Sequence, residues 1–261
     1  MTEIVELFPD AGGALDPSAL LALYAPADRA EPRLRVNFIQ SVDGSATLDG
    51  RSGSLGRPAD KAVFDILRGV SDVVLVGAGT ARAEGYGALT ATDELMSWRL
   101  AQGLPAHPVM ALVSGSLALD PASDLFAKAF ARPLVFTVPS APADARARLA
   151  EVSTVIDAGG SGSGAAAGRV DPVLVRRELL ARGLPQVLCE GGPRLFGDLI
   201  AADLVDELCL TLSPVLEGGT GSRITRPVRD GVAGPPAVPR DLDLTLLLRS
   251  GSMLLSRWSR A

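Results

Sequence analysis

Histidine is almost missing: His107, in LPAHPVM ahead of a strand, is the one copy in 261 residues, so a mechanism that needs a Ser-His-Asp triad or a histidine-rich metal centre starts at a disadvantage. Cysteine is nearly as scarce. Cys189 and Cys209 both fall inside apolar, strand-like runs, which reads as two buried thiols in a reducing compartment and leaves a cysteine-based metal site without partners. Excess positive charge is lacking too. With Lys+Arg 25 against Asp+Glu 30 the formal charge is −5, and the arginines are scattered, so neither nucleic acid nor an anionic membrane surface is an expected partner. No apolar run approaches the length of a membrane span, and the start MTEIVELFPD is acidic where a signal peptide would be basic, so a cytoplasmic protein is expected. Aromatics make up only 4% against 47% hydrophobic residues overall, which implies an aliphatic core large enough for one α/β domain or two small ones.

What is present is alternation. Residues 1–33 are rich in Ala, Pro and Asp and are expected to form an N-terminal arm packed on the outside, with LDPSALLALYA as one helix; residues 34–261 are expected to form the main domain. From Leu34 the runs LRVNFIQ, DVVLVG, PVMALVS, PLVFTV, STVID, QVLCE and ELCLTL read as strands. Between them PADKAVFDILRG, DELMSWRLAQG, PADARARLAEV, DPVLVRRELLARG and GPRLFGDLIAAD carry apolar residues at helical spacing. Strand and helix in alternation predict a mostly parallel sheet covered on both faces. LDLTLLLRSGSMLLSRWS breaks the pattern and predicts two strands joined by a tight turn at Ser250 to Ser252, an antiparallel edge. The segment 159-GGSGSGAAAGR-169 predicts a surface loop.

Three places concentrate chemistry. The run LRVNFIQSVDG ends on Asp43, a carboxylate that must be paired, solvated or used; it either caps its own turn, DGSATLDG, or faces a cleft. DVVLV runs into GAGTARAEGYGAL, where Gly77 and Gly79 permit close approach of backbone to a ligand and a helical turn near Thr80 offers N–H groups and a hydroxyl. The dinucleotide fingerprint G-x-G-x-x-G is not met, because Arg82 occupies its third glycine position. QVLCE delivers EGGPRLFGDLI, in which Gly191 and Gly192 clear space at a helix start and Pro193 occupies a position whose missing N–H costs nothing. Ligands of an open α/β sheet settle at the carboxyl ends of strands, so Asp43, Thr80, Ser114 and Glu190 are expected along one edge.

SVDG at 41–44, VGAGTARAE at 76–84, EGGPRLFGDLI at 190–200 and VDELCLTLSPVLEGG at 205–219, in that order, resemble the RibD C-terminal domain family, the reductase domain of riboflavin biosynthesis. The resemblance runs from about Leu34 to the C-terminus. It implies a dihydrofolate-reductase-like fold, NADPH as hydride donor, reduction of the ribosyl group of an aminopyrimidine phosphate such as 5-amino-6-(5-phosphoribosylamino)uracil to ribityl, and a homodimer. It further implies that Gly77, Gly79, Thr80, Gly191, Gly192 and Leu195 line the cofactor, that Ser114 and Ser116 meet its 2′-phosphate, that Glu190 borders nicotinamide or substrate, and that Arg68 reaches the substrate phosphate. The zinc-deaminase signatures H-x-E and P-C-x-x-C are absent, so a reductase alone, without a metal, is expected.

The departures matter as much. Ser45 stands where the family's S-x-D-G-K has its lysine, and 84-EGY-86 replaces an Asp-(Asn/Asp)-Pro. RPADKAVFD at 57–65 resembles the helix start of dihydrofolate reductase, whose carboxylate, here Asp60, pairs with a pterin; the same acid also suits a helix first turn. The expected catalytic carboxylates are therefore Asp43, Asp60 and Glu84, with Asp60, Arg68, Glu84 and Glu190 around the substrate. Two alternatives accompany the riboflavin-type reductase: a dihydrofolate or pterin reductase, and an NADPH-binding protein whose catalysis has decayed.

Overall fold

The computed structural model describes residues 3–159, 168–219, 221–226 and 239–261. The loop expected at 159–169 therefore lies for the most part outside the described residues. In chain order the strands are β1 (Val5–Phe8), β2 (Arg33–Ser41), β3 (Val73–Gly77), β4 (Val109–Val113), β5 (Leu134–Thr137), β6 (Thr154–Asp157), β7 (Gln186–Cys189), β8 (Glu207–Ser213), β9 (Leu242–Ser250) and β10 (Met253–Arg260). The helices are α1 (Pro17–Tyr24), α2 (Pro58–Val70), α3 (Ala78–Glu84), α4 (Asp93–Ala101), α5 (Asp124–Ala127), α6 (Ala143–Val152), α7 (Pro172–Ala181) and α8 (Pro193–Ala201). All ten strands join one sheet in the order β1-β9-β10-β8-β2-β7-β3-β4-β5-β6. From β8 to β6 every pairing is parallel, and β10, β9 and β1 close that side antiparallel.

Alternation along the strands builds two cores. Val74 and Val76 of β3 pack with Val63, Ile66 and Leu67 of α2 on one face, while Val73 and Leu75 join Val175 and Leu179 of α7 and Leu195, Phe196 and Leu199 of α8 on the other. Burial on both faces is why β3 is apolar throughout. The expected turn between β9 and β10 is formed by Gly251 and Ser252, with Gly251 at φ +58°, a conformation glycine adopts without a Cβ penalty.

Residues 3–33 supply a helix and a strand. Asp16 caps α1 by accepting from the Ala19 N–H at 2.8 Å, Pro17 sits at the first helical position, and Leu20 and Tyr24 enter the core. β1 pairs with β9 as the sheet's edge strand, a four-residue element with one mostly exposed half that gives little periodic signal.

Candidate active site

The carboxyl ends of β2, β7, β3 and β4 lie side by side, and two clefts open there. The wall between them is a close backbone contact. The Gly77 N–H donates to the Gly191 carbonyl at 2.8 Å and the Glu190 N–H to the Leu75 carbonyl at 3.0 Å, carrying the β3–β7 pairing past the strand ends. Gly191 has φ +89°, and a Cβ there would lie 2.7 Å from Phe38 Cζ; a Cβ on Gly192 would lie 2.1 Å from Thr80 Oγ1. Both glycines are thus required by packing, Gly191 also by backbone conformation.

The outer cleft encloses about 620 Å³ and is lined by Gly77, Gly79, Thr80, Ser114, Ser116, Gly192 and Leu195, all expected there from the sequence. Neither α3 nor α8 has a side-chain cap, so their first N–H groups remain available to an anion, and a Cβ on Gly79 would meet nothing within 4 Å. Among the described residues, four arginines, Arg82, Arg169, Arg194 and Arg226, share this cleft with the single carboxylate of Asp198. Uncapped amides, glycine walls and surplus positive charge fit the phosphates of a dinucleotide. Ser114 Oγ accepts from the Leu117 N–H at 3.0 Å and so holds its own loop, in which Leu117 adopts φ +53°.

The inner chamber encloses about 930 Å³ and shares Thr80, Gly192, Pro193 and Ser222 with the outer cleft. Asp60, Arg68, Glu84 and Glu190 all line it, joined by Phe38, Arg57, Lys61, Phe64 and Tyr86. Glu190 is buried and accepts from Arg68 Nε at 2.6 Å, Arg68 Nη2 at 2.8 Å and the Tyr86 hydroxyl at 2.8 Å. Arg68, expected to reach a substrate phosphate, is instead held by this bidentate pair and packs 4.2 Å from the Phe64 ring centroid. Burial pulls its guanidinium down, but the Glu190 carboxylate outweighs that and raises it. Burial, then the Glu190 charge, pushes the Tyr86 hydroxyl well up, so it stays a donor.

Among the described residues Asp60 has no cationic partner. Burial raises its pKa, opposed by a hydrogen bond from the Thr211 hydroxyl of β8. Glu84 accepts from the Ser52 N–H at 2.9 Å. Arg57 presents a guanidinium with no partner among the described residues, one turn before Lys61, which pairs with Asp65.

Asp43 departs from expectation: it lines neither cleft. Its carboxylate accepts from the Ser41 hydroxyl and from the N–H groups of Glu217 at 3.1 Å and Gly218 at 2.8 Å, which together hold its pKa down at about 2. It pins the segment after β8, a partner 174 residues away that no local pattern announces. Arg57, Tyr86 and Arg194 were the residues missed. Arg57 and Tyr86 lie within stretches singled out for their neighbours Asp60 and Glu84, and only the fold turns them inward. His107 lines neither cleft; its Nδ1 accepts from the Ala91 N–H at 3.1 Å and its ring lies 4.0 Å from that of Phe130. Cys189 and Cys209 are both free and buried. No helix among the described residues is long and apolar enough to cross a membrane, and no group of three or more His, Cys, Asp or Glu there could hold a metal.

A cleft lined by glycines and arginines, joined through a glycine wall to a chamber with several carboxylates at the carboxyl edge of a mostly parallel sheet, is an arrangement suited to an α/β oxidoreductase. A family model described as the RibD C-terminal domain matches residues 32–233, and the chain belongs to that family. The 2,5-diamino-6-ribosylamino-4(3H)-pyrimidinone 5′-phosphate reductase of Archaeoglobus fulgidus is 28% identical over 192 residues, 73% of this chain and 84% of that protein. Its namesake from Methanothermobacter thermautotrophicus is 26% identical over 193 residues, 74% and 82% of the two chains. A solved pyrimidine reductase-like protein from Corynebacterium diphtheriae superposes with a TM-score of 0.78 at 28% identity, covering 93% of this chain and 98% of its own.

Proposed function

We propose that the chain is an NADPH-dependent reductase that turns the ribosyl group of an aminopyrimidine ribosyl 5′-phosphate into ribityl, acting as a homodimer in the cytoplasm. The observation that carries this reading is the pair of contiguous clefts meeting at Thr80 and Gly192. NADPH, when bound, supplies the hydride. Gly77, Gly79, Thr80, Gly192 and Leu195 line its cleft, and the residues around the chamber divide the remaining work. The Arg68–Glu190–Tyr86 cluster is a preorganised polar wall for the pyrimidine. Arg57 offers the positive charge for the 5′-phosphate that the tethered Arg68 and the absent family lysine do not. Asp60, a half-buried carboxyl lining the chamber, would pass a proton to the sugar's ring oxygen as the C1′–O bond opens and C1′ takes up the hydride. Glu84, anchored on the Ser52 N–H, borders the same space.

NADPH oxidation at 340 nm tests this, with the 2,5-diamino-pyrimidinone compound named for the archaeal relatives and its aminouracil counterpart in parallel. Turnover of either is expected; no turnover of both overturns it. A pterin reductase is the second reading, favoured by the half-buried Asp60 having no cationic partner among the described residues, and dihydrofolate in the same assay decides between them. Light scattering is expected to give a mass near twice the chain's 26.9 kDa.

A further inference from the structure

The chain that leaves β8 crosses the carboxyl edge of the sheet where the two clefts meet. Ser222 lines both of them, and Arg226 lines the outer one. The described part of this strap is residues 215–219 and 221–226, and it is tied to the rest of the molecule in four places. Three ties run from backbone to backbone. The Val42 N–H donates to the Val215 carbonyl at 2.9 Å, the Ala46 N–H to the Ser222 carbonyl at 2.6 Å and the Arg226 N–H to the Pro193 carbonyl at 2.9 Å, so the strap joins the turn after β2 to the start of α8. The fourth tie is made by a side chain: the Asp43 carboxylate accepts from the N–H groups of Glu217 and Gly218.

Glycines let the strap lie close on both sides. A Cβ on Gly221 would lie 1.7 Å from Ser45 Oγ, and a Cβ on Gly197 of α8 would lie 2.2 Å from the Arg226 carbonyl oxygen. Ser45, the residue in place of the family's lysine, is buried under Gly221 and belongs to this packing. Within the strap Glu217 Oε2 accepts from the Gly219 N–H at 2.9 Å and the Gly221 N–H at 3.3 Å, which fixes its bend. Arg226 Nη2 donates to Ser222 Oγ at 2.8 Å, so one strap side chain orients the other at the junction of the clefts. Asp43 itself stands on a firm base. Ser41 is wholly buried, and its hydroxyl donates to Asp43 while accepting from the Ser45 N–H at 2.9 Å.

We propose that Asp43 is a positioning residue for the reaction: by fixing the Glu217 and Gly218 amides it sets the strap, and through the strap it sets Ser222 and Arg226 at the junction where cofactor and substrate meet. The inference rests on the two-cleft reading of the site and goes beyond it, because Asp43 lines neither cleft and acts on the site through a segment 174 positions away.

Wild type, Asp43→Ala and Asp43→Asn are compared in two measurements on the full chain. Asp43 is exposed, so neither substitution opens the core. The first is amide hydrogen exchange without any ligand, read by NMR at Ala46 and Arg226, whose N–H groups report whether the strap is docked. The second is NADPH oxidation with the two aminopyrimidine phosphates and with dihydrofolate, alongside the NADPH dissociation constant from calorimetry. Asp43→Ala is expected to speed exchange at both amides by about 10-fold or more, and to lower kcat by about 10- to 100-fold because misplacing reacting groups by about 1 Å costs that much. NADPH binding is expected to weaken by less than about fivefold, since the uncapped amides of α3 and α8 do not depend on the strap. Asp43→Asn keeps one acceptor oxygen and is expected to fall between in both measurements. Unchanged exchange at Ala46 and Arg226 overturns the hold of Asp43 on the strap, and faster exchange with an unchanged kcat overturns its part in positioning. A wild type that oxidises NADPH with none of these compounds overturns the proposed function instead, and the exchange rates, which need no substrate, still decide whether Asp43 sets the strap.

Discussion

Gly192 and Thr80 meet where the two clefts join, and the contact is tight enough to test at a single atom. Gly192 has φ −75°, which alanine tolerates, so the whole cost of Gly192→Ala is steric: its Cβ would lie 2.1 Å from Thr80 Oγ1. Overpacking of this kind costs about 1–3 kcal/mol. The expected result is a lower melting temperature and weaker NADPH binding, with stability restored by adding Thr80→Ala, measured by thermal scan and calorimetry. Asp60 gives the second prediction at this scale. Burial first, against the Thr211 hydrogen bond, raises its carboxyl above the ordinary 3.8, so the folded state holds this proton more tightly than the unfolded chain. The stability that follows is complete below the unfolded value and is lost as pH rises through the raised folded value. Asp60→Asn removes that loss. Its melting temperature is expected to exceed the wild type's at pH 8 and to match it near pH 3.5, while turnover falls at every pH. Asp60 was legible from the sequence as an acid in a first turn, but its hydrogen bond with Thr211 was not, because Thr211 is contributed by a strand 151 positions further along.

Arg99 shows how one element holds another. It is a charged residue in the last turn of α4, yet it is only 1% exposed, and it donates to the carbonyls of Gly69, Ser71 and Pro105. Two of those close the C-terminus of α2, the helix that brings Asp60 and Arg68 to the chamber. Arg99→Met keeps the volume and leaves three inward-facing carbonyls without their donor, so a loss of about 3 kcal/mol in unfolding free energy is expected by denaturant titration. NADPH affinity at 20 °C is expected to stay unchanged, since Arg99 lines neither cleft. Helix and strand positions were readable because their causes are local: Pro at the start of α2 and α8, Asp16 before α1, period-two and period-3.6 apolar spacing. What Arg99 does was not, because two of its partners, Gly69 and Ser71, belong to α2 and the position after it, 30 and 28 residues back along the chain.

Across the whole molecule the order of strands decides what meets what. β1, read from the sequence as part of an outer arm, covers the edge of β9, pairing Glu6 with the fully buried Leu248. Deleting residues 1–14 is expected to uncover that edge, lower the melting temperature and produce aggregates, seen by thermal scan and light scattering. A chain that stays monodisperse and equally stable after the deletion would show the strand to be dispensable. The sequence by itself determined the alternation of strands and helices, the antiparallel ending and the two glycine turns, because periodicity, capping and tight turns act over a few residues of chain. The tertiary structure decided that β7 sits between β2 and β3, and everything at the site depends on that order. It sets Glu190 against an arginine 122 residues away, turns Arg57 and Tyr86 into the chamber and sends Asp43 to a backbone segment outside it. A carboxylate's partner is a matter of distance in space, and distance in space is set only when the sheet is assembled.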